Sequence, residues 1–377
     1  MKFWISSILF IFLCTTQAQE IYFPADTLWE SKSPETFDLS LDAAINFAKK
    51  NEYSGARDLE QAILKGFERE PFHKIMGPVK RRGGPAGLIL KNGYKIAEWG
   101  DIQRVDMTFS VTKSFLSTTA LIALQKNIIR NLNDTVSGYV WDGTFDDPHN
   151  SKITWKHLLQ QNSDWSGELW DSHDWADRPS ASGNIDSWRS RKLNEPGTFF
   201  KYNDVRVNVL AYSLLQVFRK PLPAVLKENI MDPIGASHSW RWFGYDNSWT
   251  TIDGYKMQSV SGGGHSGGGM FINTKDMARF GLLFLNNGVW NNEKLLEKDL
   301  IREALTPSTS NTNYGYMWWL NAEGDRHMDG LDKDLFYAAG FGGNFIIIDQ
   351  KQKLVIVTRW LEPSKLEEFL NLIYKNQ

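Results

Sequence analysis

The chain has 377 residues, with 42 Lys and Arg against 44 Asp and Glu and a formal net charge of -2. So even a balance, with no basic stripe, argues against nucleic acid as a partner. The one cysteine, Cys14, rules out an internal disulfide, and the seven histidines show no His-x-His or His-Glu-x-x-His spacing. No metal and no cofactor are expected.

Residues 1–18 read as an export signal. Lys2 gives a positive start, Phe3 to Cys14 are almost wholly apolar, and Thr16-Gln17-Ala18 supplies a small-x-small cleavage pattern. The apolar run is shorter than the roughly 20 residues that span a bilayer, and no later stretch is long and apolar enough to do so. Leu13 ahead of Cys14 argues against lipidation. The expectation is an exported protein, periplasmic or secreted, with a cysteine-free mature part at 19–377.

A first helix is expected to start at Ser40 as N-cap, with Leu41, Ala44, Ile45 and Ala48 on one face. Leu88-Ile89-Leu90, Asn92-Gly93 and Tyr94, Ile96, Trp99 form the pattern of a tight hairpin. Helices follow at about Ser110 to Asn127, Trp155 to Gln161, Val205 to Phe218 and Val225 to Met231. Met270-Phe271-Ile272 reads as a short strand, and Thr274 as the cap of a helix with Met277, Phe280, Leu283 and Phe284 inside. Tyr314 to Leu320, Gly343 to Ile348 and Leu354 to Trp360 read as strands, and Pro363 opens a terminal helix. Strands at both ends, joined as hairpins, with helices between them predict an α+β sandwich: an antiparallel sheet flanked by helices, plus a mainly helical subdomain. Within one domain, 19–109 and 240–377 would supply the sheet region and 110–239 the helical region.

Three segments carry candidate chemistry. Ser110-Val111-Thr112-Lys113 is a Ser-x-x-Lys, a pattern that arises about once or twice by chance in a chain this long. At a helix start it puts hydroxyl and amine on one face, beside free backbone N–H groups suited to an oxyanion. Desolvation among apolar neighbours would lower the pKa of Lys113 and make it a base. The same residues also read as a capping serine followed by a solvated lysine. Pro196-Gly197-Thr198 to Asp204 places Tyr202 on a loop before a helix, as a general base or as a half-buried aromatic. Ala338-Ala339-Gly340-Phe341-Gly342-Gly343, ahead of a strand, admits close approach of a substrate or is simply a turn.

In this order the three segments resemble the serine β-lactamase and penicillin-binding superfamily, closest to its class C-like branch of esterases and 6-aminohexanoate-oligomer hydrolases. Ile153-Thr154-Trp155-Lys156-His157-Leu158-Leu159 and Ser261 to Gly269 followed by Asp276-Met277-Ala278-Arg279-Phe280 are similar to further motifs of that branch. The resemblance implies a β-lactamase/transpeptidase-like fold over about 80–375 and a serine hydrolase. In it Ser110 is acylated, Lys113 takes its proton, Tyr202 shuttles protons, and the N–H groups of Ser110 and Phe341 hold the oxyanion. Two departures weaken a true β-lactamase or D-alanyl-D-alanine peptidase and favour small neutral esters or amides. The family's Lys-Thr-Gly is Ala338-Ala339-Gly340, and its Tyr-x-Asn is Tyr202-Asn203-Asp204, whose carboxylate would repel an anionic substrate.

The substrate site is then expected to include Asp204 and Gly340, with Arg206 as the residue that would replace the missing cation. Trp165 and Trp170, in a tryptophan-rich stretch with Trp175 and Trp188, are candidates for a cleft wall or for a packed satellite cluster. Gly264-His265-Ser266-Gly267-Gly268 imitates the nucleophile elbow of α/β-hydrolases, but the strand-like Met270-Phe271-Ile272 stands where that motif needs a helix. A catalytically silent peptidoglycan-binding protein is the alternative outside the enzymes. Oligomeric state is not legible.

Overall fold

The computed structural model describes residues 21–25, 28–324 and 326–374, so the signal-like segment 1–18 lies outside the described residues. Six antiparallel strands form the main sheet, in the order Trp319–Leu320, Phe336–Gly340, Asn344–Asp349, Leu354–Arg359, Ala86–Lys91 and Tyr94–Trp99. Its central strands read as unbroken apolar runs because both faces are covered. Leu88, Leu90, Ile346, Ile348, Val355 and Val357 point to one side, where Met277, Phe280 and Phe284 of the helix Thr274–Leu285 pack. Ile89, Phe345, Ile347, Leu354 and Ile356 point to the other, under Phe369, Leu370 and Ile373 of the terminal helix Leu366–Tyr374 and under Ala44 and Ala48. One residue of slip would exchange these two sets.

The Asn92-Gly93 hairpin turns with both residues in the left-handed region, φ 51° and 84°, as a tight hairpin requires. A second sheet sets Asp106–Met107, Gly269–Ile272, Arg241–Ile252 and Tyr255–Val260 side by side. Helices Thr112–Gln125, Trp155–Leu159, Asp204–Phe218 and Leu222–Leu226 fill most of the intervening region. Among the described residues, no helix is long and apolar enough to cross a membrane.

Three local expectations need correction. The first helix is Asp42–Lys50, with Leu41 rather than Ser40 at its N-cap. The helix at 274 is capped by Asn273, whose side chain accepts from the Asp276 N–H at 2.8 Å, so Thr274 is its first residue. Only Trp319–Leu320 of the stretch Tyr314 to Leu320 is strand, because Met317, at φ 58°, turns the chain before it can extend.

Candidate active site

Ser110 lies in a single 3-10 turn, Phe109–Val111, that runs into the buried helix Thr112–Gln125. The turn is held from two sides. Thr108 N–H donates to the Met270 carbonyl at 2.9 Å, and Met270 N–H donates to Thr112 Oγ1 at 3.0 Å. On the other side the end of the strand Phe336–Gly340 approaches so closely that a Cβ on Gly340 would run into the Thr108 carbonyl oxygen. Phe109 sits in the left-handed region at φ 50°, a strained conformation beside the serine.

Lys113 is 1% exposed. Its Nζ lies 2.8 Å from Ser110 Oγ and 2.5 Å from Asp204 Oδ1. The ring of Tyr202 covers the same ammonium, 4.7 Å from Nζ to centroid, and stacks on Trp319 with centroids 5.7 Å apart. The structure thus brings Ser110, Lys113, Tyr202 and Asp204 together, and it places Gly340 and Phe341 in the same cleft. Gly263 roofs the pair: a Cβ there would collide with both Asp204 Oδ1 and Lys113 Nζ.

The charge on Lys113 is opposite to expectation. Burial is the largest single influence and pushes its pKa down, but Asp204 and Tyr202 together outweigh it, and the net direction is upward. Lys113 is therefore an ammonium at rest. Asp204 in turn is held far below the usual carboxylate range: burial opposes this, while Lys113, then Arg178, then His265 overcome it. Its charge does not face the cleft unpaired, so the expected repulsion of an anionic substrate by Asp204 is cancelled at close range.

Arg178 is the cation of this site that sequence reasoning missed. Its Nη1 is 2.6 Å from both Asp204 Oδ2 and Asp177 Oδ1, and its side chain remains 30% exposed to the cleft. Behind it, His265 Nδ1 lies 3.3 Å from Arg178 Nη2, and His265 Nε2 lies 2.6 Å from Glu70 Oε2. His73, 5.0 Å from His265 between ring centroids, is pushed down to about 4 by burial and by that neighbouring imidazole. Two groups of donor atoms here lie close enough to hold a cation, Glu70–His73–His265 and Asp177–Asp204–His265; the carboxylates of the second already pair with Arg178.

Arg206, expected as the cleft's cation, turns away from it. It is 2% exposed and bonds Asp164 Oδ1 at 2.7 Å, Asp174 Oδ2 at 2.9 Å and the Trp165 carbonyl at 2.9 Å. Trp165 is also buried, its Nε1 donating to the Thr144 carbonyl at 3.0 Å, and Trp170 packs edge-on against Tyr212 and Tyr245. Neither tryptophan lines the cleft. Their stretch contributes Arg178 instead, a residue without a sequence motif to mark it. Ser266 follows no nucleophile-elbow geometry: Gly264 and Gly267 to Gly269 all adopt positive φ, and strand Gly269–Ile272 follows directly.

The cleft over Ser110 has a volume of about 1210 Å³. Phe199, Phe200, Trp319 and Phe341 give it apolar walls. On the Trp319 side stands the exposed Arg326, its guanidinium 4.0 Å from that ring's centroid.

A family model described as Beta-lactamase matches residues 105–359. The chain is 21% identical over 336 residues to a candidate D-alanyl-D-alanine carboxypeptidase of Salmonella agona, covering 68% of this chain and 74% of that one. A beta-lactamase/D-alanine carboxypeptidase from Pseudomonas syringae is similar in fold, with a TM-score of 0.58 at 13% identity over 89% of this chain and 98% of the other. A family VIII carboxylesterase reaches a TM-score of 0.57 at 16% identity, over 79% and 93%.

Proposed function

Since the chain belongs to the beta-lactamase family of hydrolases, we propose that it is an exported serine hydrolase that cleaves small esters or amides through a Ser110 acyl-enzyme. The observation that carries this reading is the 2.8 Å approach of Lys113 Nζ to Ser110 Oγ at the floor of a large cleft. A nucleophile and a base within hydrogen-bond reach, with the base oriented by a third group, here Asp204, is the arrangement that activates serine. When Lys113 has released its extra proton, its amine takes the proton of Ser110 as Oγ forms a bond to the carbonyl carbon. The carbonyl π electrons move onto oxygen, which the N–H groups of Ser110 and Phe341 hold. Collapse of that intermediate expels the alcohol or amine, protonated from Lys113 by way of Tyr202. Water attacks the acyl-enzyme by the same steps in reverse roles. The apolar walls Phe199, Phe200 and Trp319 suit a small hydrophobic acyl or alcohol portion.

One observation favours a second reading, removal of a residue with a free carboxylate from a peptide. Arg326, exposed on the Trp319 ring at the cleft, offers a guanidinium where Lys-Thr-Gly is missing. A fluorophosphonate probe and a substrate panel test both readings. Labelling of the wild type that disappears in Ser110→Ala is expected, and labelling that survives this substitution refutes the acyl-enzyme. Short-chain nitrophenyl esters are expected to exceed nitrocefin and D-Ala-D-Ala peptides in kcat/KM. The reverse order, lost in Arg326→Ala, selects the peptidase.

A further inference from the structure

Five contacts lead without a gap from a buried carboxylate to the nucleophile. Glu70 Oε2 is 2.6 Å from His265 Nε2, and His265 Nδ1 is 3.3 Å from Arg178 Nη2. Arg178 Nη1 is 2.6 Å from Asp204 Oδ2, Asp204 Oδ1 is 2.5 Å from Lys113 Nζ, and Lys113 Nζ is 2.8 Å from Ser110 Oγ. His265 Nδ1 also lies 3.5 Å from Asp204 Oδ2, so the ring sits between two carboxylates with Arg178 against the same nitrogen.

This chain answers a problem raised by Asp204. A carboxylate against Lys113 stabilises the ammonium and opposes its use as a base. A second cation sharing the same carboxylate acts the other way, since like charge beside Lys113 favours the neutral amine. Arg178 occupies the far oxygen of Asp204 and so supplies that opposing charge; among the influences on Lys113 it is one of the two that lower its pKa, the other being burial.

We propose that Arg178 is a positioning residue of the proton transfer: held by Glu70 and His265, it shares Asp204 with Lys113 so that the lysine can surrender its extra proton and receive that of Ser110. The step transfers one proton, from Ser110 Oγ to the neutral amine of Lys113, with the serine electron pair forming the new bond to carbon. Lys113 faces Ser110, Asp204, the Tyr202 ring and the main chain of Gly263. Arg178 faces Asp177, Asp204, His265 and the rings of Phe67 and Tyr202, while its N–H meets Glu70 Oε1 at 3.2 Å. His265 adds Asp204 Oδ2 at 3.5 Å from Nδ1, Asp177 at 4.0 Å, His73 and the Phe67 ring.

The inference rests on the acyl-enzyme reading, and one assay separates the two: the rate of fluorophosphonate labelling as a function of pH. It needs no knowledge of the natural substrate. The wild-type rate should rise with pH along a limb that follows proton loss from Lys113. Arg178→Gln should move that limb to higher pH, slowing labelling about tenfold on its acid side while the alkaline plateau falls far less. Arg178→Lys, which keeps the charge, should stay near the wild-type limb, and Glu70→Gln, which frees His265, should move it part of the way. A uniform loss at every pH in Arg178→Gln, or Arg178→Lys behaving like it, overturns the inference. If Arg178→Gln does not fold, an unmoved limb in Glu70→Gln overturns it equally. Labelling that survives Ser110→Ala refutes instead the reading beneath it.

Discussion

Two buried ion clusters grow from one turn at the start of the helix Asp204–Phe218, and they serve different ends. Asp204 roots the first, with Lys113 and Arg178, and it opens on the cleft through Ser110, Tyr202 and Arg178. Arg206, two residues on, roots the second, in which Asp164 and Asp174 are also held by Arg191 at 2.8 and 3.2 Å. That cluster ties residues 164–191 to the helix and exposes neither carboxylate. A charge paired within the protein and closed to solvent is structure. A charge paired on one side and open to a cleft on the other is available for chemistry.

Breaking the first cluster should cost activity before stability. Lys113→Ala should lower ester kcat/KM by about two to four orders of magnitude, the usual worth of a placed proton-transfer group. Its Asp204 keeps Arg178 as partner, so the urea midpoint should move much less than in the next variant. Breaking the second should do the reverse. Arg206→Ala leaves two buried carboxylates short of a partner and should destabilise the fold by about 3–5 kcal/mol in urea unfolding, while the folded fraction keeps its ester activity.

A pH series sharpens the contrast. In Asp164 burial alone would raise the pKa, yet Arg191 and Arg206 hold it far below the ordinary value near 3.8. A depressed native pKa contributes stability that is complete above the unfolded value and is lost as pH falls below it. Wild-type stability should therefore drop below about pH 4, and Arg206→Ala, which keeps Arg191 on Asp164 but has lost the share due to Arg206 already at neutrality, should drop less steeply over the same window. The smallest effect belongs to Asn203, which caps the shared helix by accepting from Arg206 N–H at 3.0 Å. Asn203→Ala should cost about 1 kcal/mol and touch both clusters equally.

What could be read from the sequence was whatever depends on neighbours in the chain. Asn92-Gly93 between apolar runs announced its hairpin, and Ser110 with Lys113 announced a shared helix face. Asp253-Gly254, with φ 55° and 82°, carries the same hairpin signal, but the long strand before it has an irregular register between Gly244 and Trp249 that hides its alternation. The helix Leu59–Gly66 was likewise signalled by Asp58, whose side chain caps Glu60 and Gln61, and it went unassigned. Glu70 and Arg178 could not be read, because each comes singly from irregular chain and meets its partners only in the fold, whereas His265, legible as a cleft residue or a turn histidine, does line the cleft. The expected lowering of the Lys113 pKa erred for the same reason: burial was legible locally, whereas Asp204 and Tyr202, far off in the chain, together reverse it.

The approach of Gly340 to the Thr108 carbonyl carries a lesson for anyone redesigning the cleft. On this side the Ser110 turn is braced by main chain, and no side chain of the cleft wall takes part in that contact. Phe199 and Phe200 are thus free to be randomised in a library that changes which substrate enters, whereas Trp319, on which the Tyr202 ring stacks, is kept so that the reacting groups stay where they are. One methyl group at position 340 has no such freedom, since it would part the strand from the serine and disable every member of the library at once.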